Sequence, residues 1–196
     1  MNEILLNKFS DIFNNNILPL TVKGVNIGNK IFGAAILNKN DYSLLVAETN
    51  NEIENPIWHG EIYTLKKFYE INSKIRPNEK NCIFLSSHEP CSLCLSAITF
   101  SGFNNFYYLF PYESTLSEFS IPHDLNILKE VFNITDGKYI KENSYWKSYN
   151  INTLVDELKS NSKKKLTVSF NEIKKIYTDL SNKYQSSKEK NSIPLK

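Results

Sequence analysis

Between residues 30 and 110, short apolar runs alternate with segments of helical spacing, and that alternation restricts the chain to the α/β class. The run from Lys30 to Asn38 meets the turn residues Lys39, Asn40 and Asp41 and then a second apolar run from Tyr42 to Ala47, which predicts a hairpin. From Trp58 onward Ile62, Leu65, Phe68 and Tyr69 fall on one helical face, and the pattern stops before Pro77. Residues 81–87 read as a short buried strand, Pro90 interrupts it, and Leu95, Ile98 and Thr99 restore helical spacing up to about Phe100. A further strand at 106–110 follows. Strands separated by helices of this length predict right-handed crossovers and parallel pairing, so the hairpin should feed a βαβαβ layer.

The flanks are helical. Ile4, Leu5, Phe9, Ile12 and Phe13 predict an amphipathic helix over 2–16, ending at the run Asn14 to Asn16. Beyond Pro111 the spacing predicts a helix from Asp124 to Phe132, a short strand near Tyr139 and Ile140, and a helix through Ile151, Leu154, Val155 and Leu158. A capping box at Ser169 to Glu172 marks the start of a last helix with Phe170, Ile173, Ile176, Tyr177, Leu180 and Tyr184 on one face. Residues 160–165 then read as a linker that makes this helix an appendage, and residues 186–196 as a frayed end.

A chain of 196 residues can bury one sizeable core, and no stretch approaches the 18 or so apolar residues of a membrane span. Asn2, Glu3, Asn7 and Lys8 interrupt the apolar residues that a signal-peptide core would need. Three cysteines, two of them at CxxC spacing, suit metal or redox chemistry in a reducing compartment, so a cytoplasmic location is expected. Net charge is only +2, yet residues 150–196 carry ten lysines against five acidic residues. That basic portion could be a solvated helix face or could touch RNA.

Chemistry concentrates in His59-Gly60-Glu61 and in Pro90-Cys91-Ser92-Leu93-Cys94. Side chains two apart on a helix do not face each other, so His59 and Glu61 converge only on a point in front of a helix N-terminus. The same holds for Cys91 and Cys94, whose thiolates the first-turn N–H groups would favour. Helices that follow parallel strands start at one sheet edge, which can bring both motifs together. One imidazole and two thiolates suit zinc, and three protein ligands leave a position open, as in catalytic sites. Glu61 then fits as proton carrier beside the metal, with His88 and Cys82 less well placed to serve as a fourth ligand.

The order HxE followed by PCxxC is the pattern of zinc nucleobase deaminases, and the chain resembles the cytidine deaminase-like superfamily over roughly residues 30–112. That resemblance implies a three-layer α/β/α fold with a mixed sheet, an N-terminal helix and extra C-terminal helices. It divides the chain into a zinc deaminase domain, 1–150, and a C-terminal helical extension, 151–196. It implies Zn2+, a small heterocyclic amine as substrate, ammonia as product, and a homo-oligomer. The HGE form with Ile62, Thr64 and Leu65 looks like free-standing cytosine deaminases, whereas EPCSLC at 89–94 leans toward the purine and tRNA group. A cytosine-type substrate is the expectation, with tRNA or RNA deamination and a non-catalytic zinc module as alternatives. Asn50 or Asn51 would bind the ring or be a turn residue, Gly60 would offer its N–H or relieve crowding, and Phe32 would stack on the base or belong to the core. Trp58, beside the ligand histidine, should narrow the pocket. Glu89 should hold the CxxC turn.

Overall fold

The computed structural model describes residues 3–196. Its centre is a five-stranded sheet in the order β2-β1-β3-β4-β5, with β1 Gly33–Asn38, β2 Leu44–Thr49, β3 Cys82–His88, β4 Asn105–Phe110 and β5 Lys147–Asn150. β1 is antiparallel to both β2 and β3, whereas β3, β4 and β5 run parallel. The sheet is therefore mixed. The crossover from β2 to β3 does not join neighbours, because β1 lies between them, so the parallel layer begins at β3.

Alternation along each strand sends side chains to two cores. Ala35, Leu37, Ile83, Leu85, Tyr107 and Leu109 enter one core, and Ala34, Ile36, Cys82, Phe84, Phe106 and Tyr108 the other. The second core is closed by α3 Gly60–Glu70 and α4 Ser92–Phe100. The first is closed by α1 Glu3–Ile12, α2 Leu18–Asn26, α7 Ile151–Asp156 and α8 Ser160–Ser187. Two short helices, α5 Tyr112–Ser117 and α6 His123–Phe132, follow β4 and complete the three layers. No helix among the described residues is long and apolar enough to cross a membrane.

Several expectations give way to tertiary packing. The first helix does not stop at the asparagine run. A π-helical turn, Phe13–Ile17, carries it into α2, where Pro19 occupies the first turn and needs no N–H partner. Phe13, Ile17, Leu18 and Val25 continue the buried stripe. Asn2, at the expected start, lies outside the described residues. On α3 the buried face is Glu61, Thr64, Leu65 and Phe68, while Tyr69 is exposed with Arg76 over its ring. No strand forms at Tyr139 and Ile140. The edge strand is β5, eight residues later, where backbone pairing with β4 outweighs a polar sequence.

The expected linker is also absent: residues 160–165 are the first turns of α8, a single helix of 28 residues. Ser169 is mid-helix, and its hydroxyl bonds that of Ser10 at 2.6 Å. Leu166, Phe170, Ile173 and Tyr177 join the same core as Phe9 and Phe13 from the other end of the chain. Residues past the helix fold back, with Asn191 Nδ2 donating to Gly28 O at 3.0 Å and Ile193 buried.

Candidate metal centre

His59 and Cys91 are the N-cap residues of α3 and α4, both extended, and Cys94 is the third residue of α4. Because each helix follows a strand of the sheet, both caps open at one edge. His59 Nδ1 lies 3.4 Å from Cys91 Sγ and 3.7 Å from Cys94 Sγ, and the two sulfurs are 3.6 Å apart. These edges can be compared with a tetrahedron. Zn–S bonds of about 2.3 Å and a Zn–N bond of about 2.0–2.1 Å place two sulfurs about 3.8 Å apart and sulfur and nitrogen about 3.6 Å apart. The triangle already has the size that zinc requires, and the donor set is the one zinc favours.

The electrostatics agree. Cys91 is held well below the usual thiol range, first by the thiol of Cys94 and then by His59, whereas burial pushes Cys94 well up. Burial works against a charged His59 ring, yet the Cys91 sulfur outweighs it and brings the ring up to about 9. Metal-free, Cys91 thus stands as the thiolate, while His59 and Cys94 hold protons that a cation would displace. Glu61 is buried beside them: one carboxyl oxygen accepts from Ser86 Oγ at 2.8 Å and the other lies 3.3 Å from Cys94 Sγ. Burial, then the Cys91 charge, raises its pKa.

A cavity of about 270 Å³ opens on His59 and Cys91. Phe32 lines it, as do Lys30, Glu52, Ile121 and Asp124. Asn50 and Asn51 do not. Asn50 is buried, its Oδ1 accepting from Gly60 N and its Nδ2 donating to Glu52 Oε2 at 2.8 Å, while Asn51 is tied to Glu54 at 2.6 Å. Gly60 relieves crowding, since a Cβ there would meet Gly33 Cα at 2.8 Å and Phe32 O at 2.9 Å. Trp58 does not narrow the cavity: it packs on Tyr63 with Lys66 over its ring.

Neither rival ligand reaches the centre. His88 is buried among Phe32, Phe110, Phe119 and Tyr177, and Cys82 lies at the opposite end of β3. The Glu89 carboxylate does not bond the CxxC turn: it accepts from Tyr112 N, Tyr139 Oη and Lys141 Nζ, which ties the residue before Pro90 to the segments after β4.

Residues 15–110 match the family described as the cytidine and deoxycytidylate deaminase zinc-binding region. Residues 15–110 belong to the cytidine deaminase-like superfamily. Among solved structures this deaminase resembles a mutant of NE0047 in complex with 8-azaguanine, with a TM-score of 0.53 and 14% identity over 87% of this chain and 84% of that one. NE0047 in complex with 2,6-diaminopurine gives 0.51 and 15% over 91% and 82%. The guanine deaminase of Bacillus subtilis gives 0.51 and 24% over 66% and 81%. A comparison with the curated proteins finds no match. The superfamily assignment carries the hydrolytic deamination class and zinc, for which His59, Cys91 and Cys94 are grouped.

Lys30, Glu52 and Asp124 were not legible as site residues, because no motif links positions so far apart. The cavity wall formed by Ile193, Pro194 and Leu195 was likewise hidden behind the composition of a frayed end.

Proposed function

We propose that this deaminase hydrolyses the exocyclic amine of a free aminated purine of the guanine class. The observation that carries the reading is the cavity itself. It ends at His59 and Cys91, is walled largely by apolar groups, and, besides Glu52, which is paired with Lys30, holds the buried carboxyl of Asp124, which can meet ring N–H groups. Burial raises the Asp124 pKa well above the usual range, so it can present a proton as well as accept one. NE0047, of the same fold, is described with two aminated bicyclic rings, which supports a purine over the cytosine expected from the HGE motif. The tail residues 193–195 across one wall favour a small molecule over a polynucleotide.

Bound at the three ligands, zinc supplies the Lewis acidity that makes water a nucleophile near neutrality. Glu61 does the proton work. Its Oε1 is fixed by Ser86, which leaves Oε2 on the ligand side to take the proton of water and pass it to a ring nitrogen. The water oxygen bonds to the ring carbon that bears the amine, its remaining proton passes through Glu61 to the amine, the C–N bond breaks, and the products are ammonia and the ring carbonyl. Phe32, which lines the cavity, offers its ring as a stacking face.

An ammonia-release screen on zinc-loaded protein tests this, with guanine, cytosine, adenine, their nucleosides and tRNA as substrates and Glu61→Gln as the blank. Guanine turnover that falls about 10²- to 10⁴-fold in Glu61→Gln, with zinc content unchanged, is the expected result. Turnover of cytosine alone would overturn the ring assignment, and turnover of tRNA alone the small-molecule reading.

A further inference from the structure

We propose that Glu52 is a positioning residue of the metal centre, fixing the His59 ring in the orientation and tautomer that present Nδ1 to the metal. This rests on the reading of His59 as a ligand. Nδ1 is the nitrogen beside both thiols, so Nε2 is directed away from them, and Glu52 Oε1 stands 3.8 Å from it. A neutral imidazole that gives its Nδ1 lone pair to a cation must carry its proton on Nε2, and that N–H is oriented by a facing carboxylate. At 3.8 Å the restraint acts through charge and not through a short hydrogen bond.

Glu52 is built to hold that place. Its side chain is 1% exposed, and a carboxylate so buried needs a counter-charge. Lys30 supplies it, Nζ donating to Oε1 at 2.8 Å from a side chain itself only 7% exposed. Oε2 accepts from Asn50 Nδ2 at 2.8 Å and, at greater length, from the Lys30 backbone N–H at 3.4 Å. Both oxygens are thereby fixed. Asn50 then closes the loop, because its Oδ1 accepts from Gly60 N, the first residue of α3 and the neighbour of His59. Lys30, Glu52 and Asn50 come from the approach to β1 and the segment after β2, so the sheet holds the ring from one side while α4 brings the thiols from the other.

Zinc affinity, measured on the full chain by competition with a chromophoric chelator, tests the assignment without reference to turnover. Glu52→Ala should weaken zinc binding about 10- to 100-fold, and Glu52→Gln should recover part of that loss because its amide oxygen keeps the Lys30 contact. The visible bands of the cobalt-substituted protein should shift in both variants, since the field at the histidine changes. Glu54→Ala removes a carboxylate from the same segment that does not face His59, and it should bind zinc as the parent does. Zinc affinity within about threefold of the parent in Glu52→Ala and Glu52→Gln, or an equal loss in Glu54→Ala, would overturn the proposal. Should Glu52→Ala fail to fold by circular dichroism, Glu52→Gln decides. His59→Ala separates the two readings: parent-like zinc affinity in that variant refutes the ligand set itself, whatever Glu52 does.

Discussion

His88 stands three residues before Cys91 and yet takes no part in the metal centre. Its Nδ1 meets Ser87 Oγ at 2.9 Å, its Nε2 has no hydrogen-bond partner, and burial pushes its pKa well below the ordinary 6.5. The unfolded chain therefore binds a proton that the folded chain refuses. Stability from this group is present above about pH 6.5 and is lost as pH falls, by up to about 1.4 kcal/mol per pH unit. His88→Phe keeps the aromatic packing and removes the titration. Urea unfolding at pH 7.5 and 5.5 should show the variant losing about 1 kcal/mol less than the parent between those values. His59, Cys91, Cys94 and Glu61 could be read together from sequence because short spacings at helix starts leave one geometry. Glu52, Lys30 and Asp124 could not, since folding alone makes them neighbours.

Secondary elements show a sharper division. The hairpin, β3, β4, α3 and α4 were legible because apolar period and turn residues agree with the packing there. α8 was misread at its start because a capping box is a local signal, and burial of Leu166 against the first core outweighs it. The junction of α3 with β1 has the least room. A methyl at Gly60 would press on backbone atoms of Gly33 and Phe32, neither of which can swing aside. Gly60→Ala should move the start of α3 and with it His59 and Glu61. We expect a loss of about 1–3 kcal/mol of stability, seen in thermal unfolding, together with reduced zinc retention after gel filtration.

At the scale of the whole molecule, residues from both ends of the chain share one core: Phe13 meets Phe170 edge to face at 6.4 Å, and Phe9 meets Tyr107 of the central strand β4 at 5.0 Å. Phe170→Ala should cost about 3–5 kcal/mol and lower the temperature of a single transition in which ellipticity and zinc release coincide. A separate early transition of α8 would contradict that coupling.

The segment that follows the same helix reaches the cavity, where Ile193 to Leu195 form wall and His123 Nε2 meets the Lys196 carbonyl at 2.9 Å. Whatever is joined after Lys196, a purification tag included, begins one residue past that wall. A C-terminal fusion is therefore expected to disturb residues 193–195 and to lower turnover relative to an N-terminal fusion of the same chain, a difference that paired ammonia-release assays would read.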